Sequence, residues 1–284
     1  MIKVSNLNFT YEKSKKHAVK GLDFHIDKGE IFGFLGPNGA GKTTTQRLII
    51  GLLQGYSGKI EIMGKERREW KKDFYEHIGV AFDFPNLYTK LTGEENLQVI
   101  SRYYKKQPEN LDVLFDKVGL MKDKHTKVES YSKGMKMRLN FIRSIMHDPD
   151  IMFFDEPTSG LDPVNAKIIK SMIMEMKGNN KTVFLTTHNM TVAEQLCDRV
   201  AFINDGNISV IDSPQSLMIE NGEAVVDVSY KQGKKLMNTS FPMKSLYENK
   251  EFLSLLKTDT VVSMHSKEAT LEDIFIKLTG RELL

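Results

Sequence analysis

The chain has 284 residues, 40% hydrophobic and 27% charged, which is enough for one large or two modest domains with a sizeable core. Its 40 Lys and Arg residues against 37 Asp and Glu leave a formal charge of only +3, too weak to indicate nucleic-acid binding, and its single cysteine, Cys197, excludes an intrachain disulfide. No apolar run approaches the ~18 residues that cross a bilayer, and no secretory signal opens the sequence. We therefore expect a cytoplasmic protein, for which any membrane role requires a partner.

The first half of the chain alternates between predicted strands and helices. Strands are predicted at residues 2–9, 18–26, 31–35, 59–63 and 78–82, and helices at 44–53, 92–104, 108–119 and 135–146. Alternating apolar side chains at Leu22, Phe24 and Ile26 mark the second strand, and a Thr92–Glu95 capping box begins the second helix. The long helical stretch, about residues 84–149, is predicted to form a subdomain.

The second half contains a strongly apolar strand, residues 151–154, followed directly by Asp155 and Glu156. Such a strand is typical of the centre of a parallel sheet, whose carboxyl edge is where ligands bind. Further strands are predicted at 182–186, 200–203 and 208–211, and helices at 163–178 and 192–197. The fold class is therefore predicted to be α/β.

The composition changes after a short helix that Ser213-Pro214 begins, and Asn221-Gly222 marks a boundary. Strands at 224–230 and 261–265 and helices at 245–256 and 269–283 then predict a small α/β domain. The predicted domains are residues 1–220 and 221–284.

One motif in the first domain indicates nucleotide binding. The segment Gly36-Pro37-Asn38-Gly39-Ala40-Gly41-Lys42-Thr43-Thr44 fits G-x-x-x-x-G-K-[ST] without a mismatch, between a predicted strand and a predicted helix. Glycines let backbone N–H groups turn toward a phosphate. Lys42 can reach the β- and γ-phosphates, and the Thr43 hydroxyl can bind Mg²⁺. The motif predicts a nucleoside triphosphate site.

Three later residues supply the chemistry that this site needs. Asp155 can hold Mg²⁺ beside Thr43, Glu156 can orient or deprotonate an attacking water, and His188 can donate a hydrogen bond to the γ-phosphate. Taken singly, Asp155 is better explained as a strand-end turn residue and His188 as a satisfied core histidine. Together, after a phosphate loop, they predict ATP hydrolysis by positioning and electrostatics.

The order of these motifs resembles that of the ATP-binding cassette (ABC) ATPases over about residues 1–217. The resemblance implies a P-loop core with a mixed sheet, antiparallel N-terminal strands and an inserted helical subdomain. It also implies a head-to-tail homodimer with two ATP molecules at the interface and a separately encoded membrane permease, on the inner face of the cell membrane.

The resemblance assigns further residues position by position. Tyr11 matches the aromatic residue that stacks on adenine, although a strand-end aromatic explains it equally well. Ser132 and Gly134 match the signature residues that contact the ATP of the opposite subunit, and Asp162 matches the D-loop aspartate. The segment 270–280 resembles the tail of ATPases from bacterial multidrug and antibiotic exporters, which favours export over import.

Two positions depart from the family pattern. Asp83 stands where the family usually has glutamine, so we expect it near Mg²⁺ as a shorter and negatively charged ligand. The signature, usually Leu-Ser-Gly-Gly-Gln, reads Tyr131-Ser132-Lys133-Gly134-Met135. These departures predict ATP hydrolysis at a modest rate.

Two alternatives to a transporter subunit follow from the phosphate loop. A soluble ABC-type ATPase acting on ribosomes or nucleic acid usually carries two cassettes or a long heptad insertion, and this chain has neither. An unrelated P-loop kinase would lack the Ser-x-Gly motif before Asp155-Glu156.

Overall fold

The computed structural model describes residues 1–12, 14, 16–107, 110–222, 224–233, 235–258 and 260–280. Its residues separate into a first unit, Met1–Ile211, and a second unit that begins at Asp212. This division precedes the boundary predicted at residue 220. The physical reason is that the helix Pro214–Asn221 packs with a later helix of the second unit, where Lys277 Nζ donates a hydrogen bond of 2.8 Å to the Asn221 carbonyl.

The strands before the second unit are β1 (Ile2–Thr10), β2 (His17–Ile26), β3 (Ile31–Leu35), β4 (Ser57–Ile62), β5 (Lys65–Glu66), β6 (Ile78–Ala81), β7 (Ile151–Asp155), β8 (Thr182–Thr187), β9 (Arg199–Asn204) and β10 (Asn207–Asp212). The helices there are α1 (Lys42–Ile50), α2 (Gly93–Ser101), α3 (Leu111–Lys117), α4 (Lys133–Ile145), α5 (Pro163–Gly178) and α6 (Met190–Leu196). Helices α2 to α4 lie within the predicted helical subdomain. Pro108, with which we began the third predicted helix, lies outside the described residues.

Two sheets form the first unit. One has the order β10-β9-β3-β8-β7-β6, with β9, β3, β8, β7 and β6 paired in parallel. The other is antiparallel, with the order β2-β1-β4-β5. The predicted α/β core with antiparallel N-terminal strands is confirmed, but β1 and β2 lie in a sheet of their own and not in one mixed sheet with the parallel strands.

Phenylalanine side chains join the two sheets. The Phe24 ring of β2 stacks on Phe32 of β3 with 5.7 Å between centroids, and it also contacts Phe34 and Phe184. All four rings are buried. Burying one such side chain contributes about 1.5–3 kcal/mol to the stability of the fold. The cluster therefore fixes β2 against β3 and β8.

The second unit contains α7 (Pro214–Asn221), β11 (Val225–Gln232), β12 (Lys235–Pro242), α8 (Lys250–Leu256), β13 (Val261–Lys267) and α9 (Leu271–Thr279). Its three-stranded sheet has the order β12-β11-β13 and packs its core on α8 through Val226, Val228, Phe241 and Phe252.

Two predictions for this unit are wrong. No strand was predicted at β12, because this edge strand is mostly exposed and carries few buried apolar residues. The single helix predicted at 245–256 is a 3-10 segment, Met243–Glu248, followed by α8. Asn249 separates the two because its side chain accepts a hydrogen bond from Phe252 N and so begins a new helix.

Candidate active site

The phosphate loop lies between β3 and α1, and two of its glycines are required by their surroundings. A Cβ on Gly36 would lie 2.1 Å from the Ile203 carbonyl oxygen. Gly41 has a φ of 112°, and a Cβ there would lie 2.7 Å from the Ala18 carbonyl oxygen. Only glycine fits both positions, so the loop packs directly against the backbone of its neighbours.

Lys42 is held inside this loop at the start of α1. Its Nζ donates hydrogen bonds to the carbonyls of Gly36, at 2.6 Å, and Pro37, at 3.1 Å. Burial lowers the pKa of Lys42, while the nearby Glu156 and Asp155 carboxylates act in the opposite direction. An ammonium has three donors, so one remains for a phosphate oxygen.

Asp155, the last residue of β7, is brought next to the phosphate loop as predicted and is only 3% exposed. Its Oδ2 accepts a hydrogen bond of 3.0 Å from Thr43 Oγ1, and its Oδ1 accepts one from the Thr186 hydroxyl. Burial raises the pKa of Asp155, and the charges of Asp83 and Glu156 add to this increase.

The Thr43 hydroxyl and the Asp155 carboxylate form a pair of oxygen donors that suits Mg²⁺. This hard cation takes one or two protein oxygens and completes its shell with water and phosphate. Among the described residues there is no cluster of three or more His, Cys, Asp or Glu side chains that could hold a metal by itself. Water and phosphate oxygens would complete the site.

Glu156 has an unusual backbone conformation, with a φ of 50°, and its carboxylate is held from two sides. Oε1 accepts a hydrogen bond of 2.8 Å from His188 N and lies 2.6 Å from His188 Nδ1, and Oε2 accepts one of 3.0 Å from Thr187 Oγ1. A positive φ at a residue with a side chain is strained and recurs at functional sites. The strand-end strain and these hydrogen bonds together fix the direction of the carboxylate.

The contact with Glu156 also limits what His188 can do. If Nδ1–H donates to the carboxylate, a neutral imidazole has only an acceptor at Nε2, whereas an imidazolium has a second N–H there. The hydrogen bond from His188 to a γ-phosphate, predicted from the sequence, therefore requires the protonated ring in this arrangement.

Asp83 follows β6 in an exposed loop and faces the same space as the phosphate loop. The cavity, about 160 Å³, is lined by Asn38, Gly39, Gly41, Lys42, Thr43, Thr44, Asp83, Asp155 and Glu156. The structure thus brings together most of the residues that the sequence assigned to nucleotide and metal.

Tyr11 lies beside the end of the phosphate loop. Its hydroxyl is 3.0 Å from Thr44 Oγ1, and its ring contacts Phe9 edge-to-face with 4.9 Å between centroids. The side chain is 39% exposed, so a ring face remains open to a base.

Ser132, Gly134 and Asp162 do not line this cavity. Ser132 caps α4 by accepting a hydrogen bond of 3.2 Å from Met135 N, and Asp162 caps α5. A Cβ on Gly134 would lie 3.5 Å from Leu161, and one on Gly160 would lie 3.3 Å from Lys133 Nζ. The signature segment and the residues before Asp162 therefore form a second cluster.

Sequence reasoning missed the threonines that hold the two carboxylates. Thr186 donates to Asp155, and Thr187 donates to Glu156. Their position directly before His188, at the end of a strand beside β7, was a usable signal, because β7 and β8 pair in parallel with Asp155 opposite Thr186.

Comparison with known proteins identifies the family. A model described as ABC transporter matches residues 19–159, and one described as the fluoroquinolone efflux ABC transporter C-terminal domain matches residues 224–268. The chain is 48% identical to a fluoroquinolones export ATP-binding protein of Mycobacterium tuberculosis (strain ATCC 25618 / H37Rv), over 100% of this chain and 94% of that protein. The chain belongs to the ATP-binding subunits of ABC transporters.

Two further matches have lower identity. The chain is 37% identical to the bacitracin transport ATP-binding protein BcrA of Bacillus licheniformis, over 73% of this chain and 68% of that protein. A solved structure of the ATP-binding subunit of an ABC transporter has 25% identity and a TM-score of 0.71, and the match covers 78% of this chain and 92% of that one.

Family membership confirms the predicted ATPase: this ABC subunit binds and hydrolyses ATP. No helix in the described part of the chain is both long and apolar enough to cross a membrane.

Proposed function

We propose that this ABC ATPase powers the export of amphiphilic aromatic drugs of the fluoroquinolone type through a separate membrane permease. The observation that carries this proposal is the similarity to a fluoroquinolones export ATP-binding protein at 48% identity over the whole chain. The similarity extends into the second unit, where the fluoroquinolone efflux C-terminal model matches residues 224–268. The ABC core alone would not favour one cargo over another.

In the proposed reaction, Lys42 and the backbone N–H groups of the phosphate loop hold the β- and γ-phosphates. Glu156 accepts a proton from the attacking water, and the His188 imidazolium donates a hydrogen bond to the γ-phosphate. Thr43 and Asp155 would hold Mg²⁺, which neutralises charge on the phosphate oxygens when it is bound. Asp83 lines the same cavity and would add a further carboxylate near the ion.

The separation between the two clusters supports a head-to-tail homodimer. Ser132 and Gly134 lie at the start of α4 and do not line the cavity that holds Lys42 and Asp155. In the proposed dimer these two residues contact the ATP of the second copy, and Asp162 lies at the same interface. Each ATP is then enclosed only when two chains meet.

The partner of this dimer would be an integral membrane permease, with the ATPase attached at the inner face of the cell membrane. The alternative of an ATPase acting on ribosomes or nucleic acid is not favoured, because the matched relatives are transport proteins and the net charge is only +3.

The test is drug efflux in cells that lack other efflux pumps and express this chain with the membrane protein of its neighbouring reading frame. We expect energy-dependent efflux of a fluoroquinolone that disappears with Glu156→Gln. If cells that express the transporter accumulate as much drug as cells that do not, while ATPase activity is intact, the proposed cargo is wrong and the assignment as an ATPase is unaffected.

A further inference from the structure

A second and larger cavity lies at the opposite end of α1 from Lys42. Its volume is about 450 Å³, within the range of about 300–1,000 Å³ that is typical of small-molecule sites. Gly51, the residue that ends α1, lines one side, and the other is lined by Arg67, Arg68, Trp70, Lys71, Lys72 and Tyr75. Nothing in the ATPase mechanism uses this cavity.

Arg67 forms the floor of the cavity and is only 8% exposed. Its Nε donates to the carbonyls of Ile49 and Ile50, each at 3.2 Å, and its Nη2 donates to Ile50 at 2.6 Å. The guanidinium lies 4.0 Å from the Phe74 ring centroid. No described carboxylate forms an ion pair with Arg67, so among the described residues its charge meets only carbonyl dipoles and a ring.

The Nη1 atom of Arg67 also lacks a partner, because it makes no hydrogen bond with any described residue. A buried guanidinium with a spare N–H is a strong donor for an anionic oxygen, since hydrogen bonds between charged groups are about twice as strong as neutral ones. The floor therefore offers a charged donor to the cavity.

The rim carries three more cations, Arg68, Lys71 and Lys72, and no Asp or Glu lines the cavity within the described residues. Arg68 is partly neutralised by Glu66 at 3.7 Å. The exposed side chains of Lys71 and Lys72 make no hydrogen bond or ion pair with described residues. Glu66 also accepts a hydrogen bond of 3.1 Å from the hydroxyl of Tyr56, so the positive charge that favours anions comes chiefly from Arg67, Lys71 and Lys72.

The walls between these cations are aromatic. Trp70 donates its indole N–H to the Ile62 carbonyl at 3.2 Å, which fixes the ring plane. Tyr75 is exposed beside it, and buried Tyr56 lies under Arg68, whose guanidinium is 4.0 Å from the ring centroid. Rigid aromatic walls favour a flat aromatic ligand, because offset stacking adds about 0.5–1.5 kcal/mol per ring pair.

We propose that this cavity binds a small organic anion with a flat aromatic body. Its carboxylate or sulfonate faces Lys71, Lys72 and the free N–H of Arg67, and its ring packs on Trp70 and Tyr75. The site is separate from the ATP site, because the two cavities lie at opposite ends of α1 and share no lining residue.

The test uses 2-naphthoate as the probe and the full chain without nucleotide, because ATP is itself a flat aromatic anion that would compete for this cavity, and Trp70 lines this cavity and not the ATP site. Trp70 is the only tryptophan, so its indole N–H gives one peak in a proton–nitrogen NMR spectrum. We expect 2-naphthoate to shift this peak in a saturable manner. The neutral 2-naphthalenemethanol and the cationic 2-naphthylmethylammonium should shift it weakly or not at all.

A second experiment removes two positive charges from the rim of the cavity. The double variant Lys71→Gln with Lys72→Gln should weaken 2-naphthoate binding about tenfold, a change of about 1.4 kcal/mol. A matched variant, Lys122→Gln with Lys167→Gln, removes two exposed lysine charges elsewhere and should bind as the wild type does. Equal binding of all three naphthalenes, no saturable shift, or equal weakening in both double variants would each overturn the proposal.

Discussion

Replacing Thr187 with valine tests how the carboxylate of Glu156, the proposed catalytic base, is held. Thr187 is buried at the end of β8, and its hydroxyl donates to Glu156 Oε2 at 3.0 Å and accepts from Asn189 N at 3.0 Å. Valine keeps the shape of the side chain and removes the hydroxyl. Because the Glu156 backbone has a φ of 50°, its carboxylate depends on such hydrogen bonds for its direction.

The size of the effect follows from the lost hydrogen bond. A hydrogen bond to a charged group contributes about 1.5–3 kcal/mol, and each 1.36 kcal/mol in the barrier changes a rate about tenfold. We therefore expect Thr187→Val to lower kcat roughly ten- to a hundredfold. KM for ATP should stay near the wild-type value, because Thr187 does not line the nucleotide cavity.

The assay is phosphate release at saturating and limiting ATP, with Thr187→Ser as the matched control that retains the hydroxyl. The same substitution is then made in Glu156→Gln. If Thr187 acts only by positioning the Glu156 carboxylate, its loss should have little further effect on the rate of that variant. An unchanged kcat in Thr187→Val, or an equal loss in both backgrounds, would refute the positioning role.

Three further substitutions test other parts of the site. Glu156→Gln should lower kcat about 10²–10⁴-fold while ATP still binds, as measured by phosphate release and equilibrium dialysis, and intact turnover would exclude it as the base. Tyr11→Ala should weaken ATP binding by about 1–3 kcal/mol and Tyr11→Phe much less, by calorimetric titration, because the ring and not the hydroxyl would stack on the base. Gly36→Ala should lower the thermal midpoint and abolish ATP binding, because the new Cβ would meet the Ile203 carbonyl at 2.1 Å, whereas Gly178→Ala meets nothing within 4 Å and should have neither effect.

The sequence predicted the first unit well because its signals are local and strong. The apolar run before Asp155 and the Thr92–Glu95 capping box are read directly from residue order, and the capping box is present in the structure. The second unit was harder to predict. Strand β12 gains its stability from pairing with β11, as in Val226 opposite Phe241, and that pairing leaves little trace in a mostly exposed edge strand.

The same contrast holds within the site. The carboxylates Asp155 and Glu156 were predictable because their positions follow from the end of one strand. The threonines that hold them come from the neighbouring strand, and their role depends on the parallel register that sets Asp155 opposite Thr186. Register is a property of two strands together, so one strand's residues did not reveal which hydroxyl meets which carboxylate.

Asp83 affects the electrostatics around Lys42 even though its side chain is exposed. Asp83, Asp155 and Glu156 line one cavity with this single ammonium, and burial together with the charges of Asp83 and Glu156 raises the pKa of Asp155. A carboxyl whose pKa is raised in the fold stabilises the protein at low pH, and that stability is lost as the pH rises through the raised pKa. Ionisation of Asp155 in the fold therefore carries a cost, chiefly from burial and further from the charges of Asp83 and Glu156. A nucleotide brings further negative charge into this cavity, so we expect a divalent cation such as Mg²⁺ to strengthen ATP binding.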